Sequence, residues 1–333
     1  MGEALAFLSA CGYTFQLILI KKGNNQKSTI GSIPIQLIVL SSGILMFLVI
    51  YSIKIHLSGV FTVHNQFFLI PKEAMIFVVM DGLLGPMGGM LLLTKATEFI
   101  GPSRTSVFRG TNPIFAAILS SIILKESPGW AGVLGITLLV VGIVVISMDS
   151  GSSNDNNKLS LKSPMKASPD PEQFENQTSD RNGSRLFEKR SLGIIMALIS
   201  GLLMAIAQTS RGVAISRGAA AEPIVFWGAV ISFTTLMAVY YLNNKSHRFT
   251  AGIDGASMKY YLCAGIGFVI GSSALALSFV YIDVWKAVAI RNMQPILSIM
   301  VSWHLLKKQE LIDARVIVGA LLVTSAIWIF FAV

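Results

Sequence analysis

Charge is scarce in this chain. Only 13% of the 333 residues are charged and 53% are hydrophobic, giving a mean hydropathy of +0.67, whereas soluble domains carry about 25% charged residues. That shortage excludes an ordinary water-soluble fold. Cysteine is almost missing: Cys11 and Cys263 stand far apart in apolar stretches, which leaves no disulfide framework and no thiolate metal site. Histidine is nearly as rare. His56, His64, His247 and His304 form no H-E-x-x-H pattern, and neither G-x-S-x-G nor a phosphate-binding glycine loop occurs. The sequence therefore reads as a non-enzyme without metal or cofactor.

What charge there is runs positive, +9 at neutral pH. The basic residues sit in short segments between apolar blocks, where they flank a membrane, so the expected partners are the lipid bilayer and a small-molecule substrate, not nucleic acid. The blocks fall near residues 4–20, 30–53, 74–97, 104–124, 129–148, 192–210, 222–242, 259–280, 285–306 and 312–332. Each is close to the roughly 20 residues that cross about 30 Å of hydrocarbon as a helix. One stretch differs in kind. Residues 149–190 are rich in Ser, Asn, Asp, Lys and Pro, too polar to bury a core, and read as a flexible linker between a first unit at 1–148 and a second at 191–333.

The two units are related. Residues 85–125 laid on 267–307 without a gap share ten identities in 41 positions, among them Gly85 with Gly267, Gly89 with Gly271, Arg109 with Arg291, Pro113 with Pro295 and Lys125 with Lys307. Apolar residues coincide by chance, but Arg, Pro, Lys and two Gly at one offset indicate duplication. Five spans per half is an odd number, so the second half enters the bilayer from the opposite side. The expected fold is an all-α membrane protein with ten transmembrane helices as two inverted five-helix repeats, and such repeats enclose a solute site near the midplane.

The duplicated element carries the candidate chemistry. Arg109-Gly110-Thr111-Asn112-Pro113 parallels Arg291-Asn292-Met293-Gln294-Pro295, so each half sets a cation, a carboxamide and a helix-breaking proline on about one turn. Arg109, Arg291, Asn112 and Gln294 are candidate substrate ligands, and Pro113 and Pro295 candidate hinges. Both helices also open with a cation, Arg104 and Lys286, at the end where the macrodipole disfavours one; this hints at an anionic ligand, against a plain anchoring role. Asp81 and Lys95, 14 residues apart in the third span, fall on one face of a regular helix. Asp81 is a candidate coupling carboxylate or counter-ion to an arginine, against a plain carboxylate near a helix end touching water, and Lys95 a further ligand or a snorkelling cation. Gln16 and Gln208 suit polar lining or helix–helix hydrogen bonds. Gly85-x-x-x-Gly89 and Gly267-x-x-x-Gly271 are packing sites within a bundle or between protomers, which leaves the oligomeric state open. Trp130, Trp285 and Trp328 read as interfacial anchors.

Two five-helix halves, Asn112-Pro113-Ile114 followed by Leu124-Lys125-Glu126, a glycine-rich span from Gly132 to Gly142, and Gln294-Pro295-Ile296 before Lys307-Lys308-Gln309-Glu310 resemble the EamA-type branch of the drug/metabolite transporter superfamily. The resemblance covers the chain apart from the linker. It implies ten helices around a central cavity in the cell or inner membrane, and alternating-access movement, often export, of amino acids, other metabolites or drugs. The paired arginines lean instead towards the superfamily's sugar-phosphate and nucleotide-sugar exchangers, and a non-transporting scaffold is the third reading. Orientation draws opposite answers: 17 basic residues fall in loops after odd-numbered spans and 6 after even-numbered ones, which puts both termini outside, whereas the resemblance puts both inside, the orientation adopted.

Overall fold

The computed structural model describes residues 1–24, 31–58, 69–100, 110–149, 175–243, 254–294, 296–297 and 314–332. Among these the regular structure is all helical, without strands, and a helix satisfies its backbone N–H and C=O groups within one segment where no water can do so. In chain order the first half contains α1 (Gly2–Asn24), α2 (Ser32–Ser58), α3 (Lys72–Gly82), a π-helical stretch (Leu83–Gly89), α4 (Met90–Ile100), α5 (Asn112–Ile123) and α6 (Gly129–Asp149). The second contains α7 (Glu175–Ser216), α8 (Ala221–Asn243), α9 (Gly255–Ser278), α10 (Val284–Arg291) and α11 (Ala314–Ala332). Helix α7 begins inside the segment read as linker, but its apolar part starts at Ser191.

Six of these helices are long and apolar enough to span a membrane: Gly2–Asn24, Ser32–Lys54, Lys72–Ala96, Ser191–Ser216, Ala221–Leu242 and Gly255–Ser278. Asn112–Ile123, Gly129–Val145 and Leu321–Ala332 are shorter apolar helices. The expected ninth span is represented by α10 and the turn after it; most of the remainder lies outside the described residues. Large apolar side chains cover the outside, with Leu45, Ile122, Leu321 and Trp328 all more than half exposed, as a lipid-facing surface requires. The chain is a multi-pass membrane protein.

Prolines mark the helix beginnings. Pro34, Pro113 and Pro223 each sit in a first turn, where the missing N–H has no intrahelical partner to lose. Pro86 is the exception. It lies inside the third helical rod, and there the helix widens into its π-helical stretch, which absorbs the proline without breaking the rod.

The main packings join one half to the other. Helix α1 runs against α9, α7 against the rod Lys72–Ile100, α2 against α8, α5 against α10, and α6 against α11. Close backbone approach makes two of these possible. A Cβ on Gly12 would stand 2.6 Å from the Gly271 backbone nitrogen, and one on Gly267 would stand 2.7 Å from the Gly12 carbonyl oxygen. On the other side, Gly85 abuts Ala207, and Gly89 abuts Met204 and the Ser200 carbonyl. At each crossing a serine closes the contact: Ser9 Oγ donates to the Gly271 carbonyl at 2.6 Å and Ser200 Oγ to the Gly89 carbonyl at 2.6 Å. Such bonds contribute roughly 0.6 kcal/mol each within a membrane. The duplicated glycines are thus packing devices within one chain.

Candidate functional site

Asp81 and Arg211 meet between the halves. Arg211 Nε donates to Oδ2 at 3.1 Å, and Nη2 donates to Oδ1 at 3.0 Å and Oδ2 at 2.9 Å. Both side chains are buried. A forked guanidinium on a carboxylate satisfies most of the lone pairs that burial strips of water. The remaining Nη1 lies 3.5 Å from the Ser272 carbonyl oxygen. Asp81 is thereby paired with an arginine, and at 2% exposure it is not a carboxylate touching water at a helix end.

Arg211 itself goes unread in the sequence, where it falls in the loop after residue 210. In the structure α7 continues to Ser216. Gly218, at φ 85°, ends it in a Schellman cap, with Gly218 N–H donating to Ile215 O at 2.9 Å and Ala219 N–H to Ala214 O at 3.1 Å. Gly218 was the available signal: a glycine read as the residue just past the helix end carries the span on past Arg211.

Around this pair the halves frame a half-open cavity, mostly apolar in surface, whose polar lining is Gln16, Gln36, Gln208, Gln294, Tyr13 and Arg291 together with Asp81 and Arg211. Water-sized molecules can occupy about 50 Å³ of it, room for a few waters. Helix α1 supplies Tyr13 and Gln16, α2 Gln36, α3 Asp81, α7 Gln208 and Arg211, and the turn after α10 supplies Gln294. Arg291 stacks on the Tyr13 ring, its guanidinium carbon 4.3 Å from the centroid. It is 4% exposed, its Nε has no hydrogen-bond partner, and no carboxylate among the described residues forms an ion pair with it. Gln208 Oε1 is also buried without a partner.

The other sequence candidates divide. Gln16, Gln208, Asp81, Arg291 and Gln294 come together in the cavity. Asn112 is buried with both ends of its carboxamide unpartnered, yet it does not line the cavity. Pro113 sits in the first turn of α5. Arg109 and Pro295 lie outside the described residues, as does Arg104.

The expectation that Asp81 and Lys95 share a face is overturned: Asp81 is buried while Lys95 is exposed, away from the cavity. The π-helical stretch between them takes about one residue more per turn than an α-helix, which rotates everything beyond it on the order of 100°. Lys286 needs no ligand to explain it, because Glu3 pairs with it at 2.9 Å. Trp285 is no interfacial anchor. It is buried, with Nε1 donating to Asp283 Oδ2 at 3.1 Å and its ring packed edgewise on Phe330.

The helix that delivers Arg291 is held by the opposite half. Lys125 adopts φ 60° after α5, turning the chain so that Glu126 accepts the Val284 N–H at 3.1 Å and the Trp285 N–H at 3.4 Å. A carboxylate on the first N–H groups of a helix both caps it and complements its dipole. Burial nonetheless holds the Glu126 carboxyl above its usual range, Asp283 adding to the effect and the two backbone N–H groups opposing it. At its far end α10 stops at Arg291, and Asn292 Nδ2 donates back to the Val288 carbonyl at 2.8 Å. A helix boundary thus stands beside the carboxamide–proline pair in both halves, at Asn112 and after Arg291.

A solved structure described as "Crystal structure of protein" resembles this chain with a TM-score of 0.71 and 12% identity, over 98% of this chain and 95% of that one, a likeness of fold alone. No curated protein matches. Residues 1–148 match the EamA-like transporter family, a family of membrane transporters of small solutes and not of enzymes.

Proposed function

We propose that the chain is a ten-span carrier of small metabolites, in which residues 1–148 and 191–333 form inverted repeats joined by the polar linker 149–190. It moves its solute through the cavity at their interface by alternating access, outward across the cell membrane. The observation that carries this reading is the half-open cavity between the halves, where the buried Arg291 has an unpartnered Nε and meets no carboxylate among the described residues. Intramembrane cations of that kind mark solute pathways by default.

The packing supports the inversion. Exchanging the halves turns α1 into α7 and α9 into the rod Lys72–Ile100, so the α1–α9 contact becomes the α7–rod contact, and both exist. Their serine-to-glycine bonds exchange as well. Contacts α2–α8, α5–α10 and α6–α11 map onto themselves.

Thiol labelling tests the reading without knowledge of the solute. On a Cys11→Ser/Cys263→Ser background, Gln36→Cys and Gln208→Cys are exposed in turn to a membrane-impermeant thiol reagent on each side of sealed vesicles. Labelling of the same position from both sides is the expected result. Labelling from one side only, or from neither, favours a static scaffold.

A further inference from the structure

We infer that the solute is a compact monoanion, a small hydroxy-carboxylate, whose carboxylate pairs with Arg291 and whose hydroxyl donates to Gln208 Oε1. This rests on reading the cavity as the solute site. Among the described residues three ionised side chains line it: Asp81, Arg211 and Arg291. The first two neutralise each other through their forked contact, so one positive charge remains, on a group 4% exposed whose Nε is unpartnered. A buried charge is stable only when paired, and no carboxylate among the described residues pairs with this one. The Tyr13 face offsets part of the deficit by a cation–π contact but leaves the guanidinium edge free to donate. A single anionic group balances the cavity; a dianionic phosphate overshoots it, and a zwitterion or cation leaves the charge standing.

Gln208 adds the second requirement. Its orphaned Oε1 accepts but cannot donate, so the solute must bring an O–H or N–H. The carboxylate takes the solute's one permitted charge, so the donor is uncharged, and of the uncharged donors a hydroxyl is more compact than an amide. The space open to water-sized molecules, about 50 Å³, keeps the ligand small.

The probes are lactate, propionate (no hydroxyl), lactamide (no charge), alanine (zwitterion) and inorganic phosphate, titrated against purified full-length protein while the melting temperature is followed. Lactate should stabilise the wild type at the lowest concentration, with propionate and lactamide each at least about tenfold weaker. Arg291→Gln should remove the preference for lactate over lactamide, and Gln208→Leu the preference for lactate over propionate. The comparison of lactate with lactamide on the wild type alone decides the charge requirement should a variant fail to fold. Equal responses to lactate and lactamide, a stronger response to alanine or phosphate, or no response to any carboxylate would overturn the inference. If two-sided thiol labelling succeeds while these arms fail, the carrier reading stands and only the substrate class falls.

Discussion

The Arg211 guanidinium grips the Asp81 carboxylate across the boundary between the two halves, through three contacts of 2.9–3.1 Å. Removing one partner leaves the other charged and buried, which destabilises by about 3–5 kcal/mol. Asp81→Asn and Arg211→Gln are each expected to lower the unfolding midpoint sharply. Asp81→Asn combined with Arg211→Gln should recover much of the loss. A double-mutant cycle with additive losses would mean that the pair contributes nothing jointly.

Glu126 should make stability depend on pH. Its folded-state pKa is raised by burial, so the protonated form is the one the fold prefers. The stability linked to it is fully present below the unfolded carboxyl value of about 4.3 and is lost as pH rises through the higher folded value. Relative to Glu126→Gln, the wild type should therefore lose ground as pH climbs from about 4 into the neutral range. Melting curves of both proteins over that range check the sign, and a gap that widens in favour of the wild type contradicts it.

Glycine substitutions separate contact from open space along the α1–α9 crossing. A methyl group at Gly12 meets the Gly271 backbone at 2.6 Å and cannot be relieved by a rotamer change. Gly12→Ala should destabilise by about 1–3 kcal/mol through overpacking. Gly255→Ala, in the first turn of α9 with nothing within 4 Å of where the new methyl would stand, should be neutral in the same assay.

Lys95 is exposed and lies outside the cavity. Lys95→Gln is expected to leave both the melting temperature and the lactate response of the wild type unchanged within about 0.5 kcal/mol. A lost lactate response with an unchanged melting temperature would return Lys95 to the solute pathway.

Much of this is readable in the amino-acid order, and the gaps have physical causes. The duplicated glycines announce close crossings, and the structure has them at Gly85, Gly89, Gly267 and Gly271. Arg291, Gln294, Gln16, Gln208 and Asp81 are each visible as polar residues in apolar surroundings, and they share one cavity. Gln36 has the same signature, two residues after Pro34, and escapes the sequence reading. Arg211 escapes it because a charged residue ends an apolar run in any hydropathy reading, although a buried partner on another helix can keep it inside. Lys95 is misplaced because face arguments assume 100° per residue, and nothing but Pro86 warns of a wider turn. Lys286 suggests an anion until Glu3, 283 residues away in sequence, is found against it; a pairing that distant leaves no local trace.

The grip between Asp81 and Arg211 has no twin. Cys263 stands where the repeat puts a partner for Asp81, and the Ser9–Ser200 correspondence sets Ile20 opposite Arg211. In a carrier that works by letting its halves trade shapes, perfect symmetry would make the two end states equal in energy. One unmatched ion pair across the interface lifts that degeneracy, since only one arrangement of the halves needs to keep it closed. A difference of about 1.4 kcal/mol already tilts the two populations tenfold. Under the alternating-access function proposed above, the empty protein has a side of the membrane on which it waits, and its apparent affinity for the solute differs from one face to the other although the binding residues are the same.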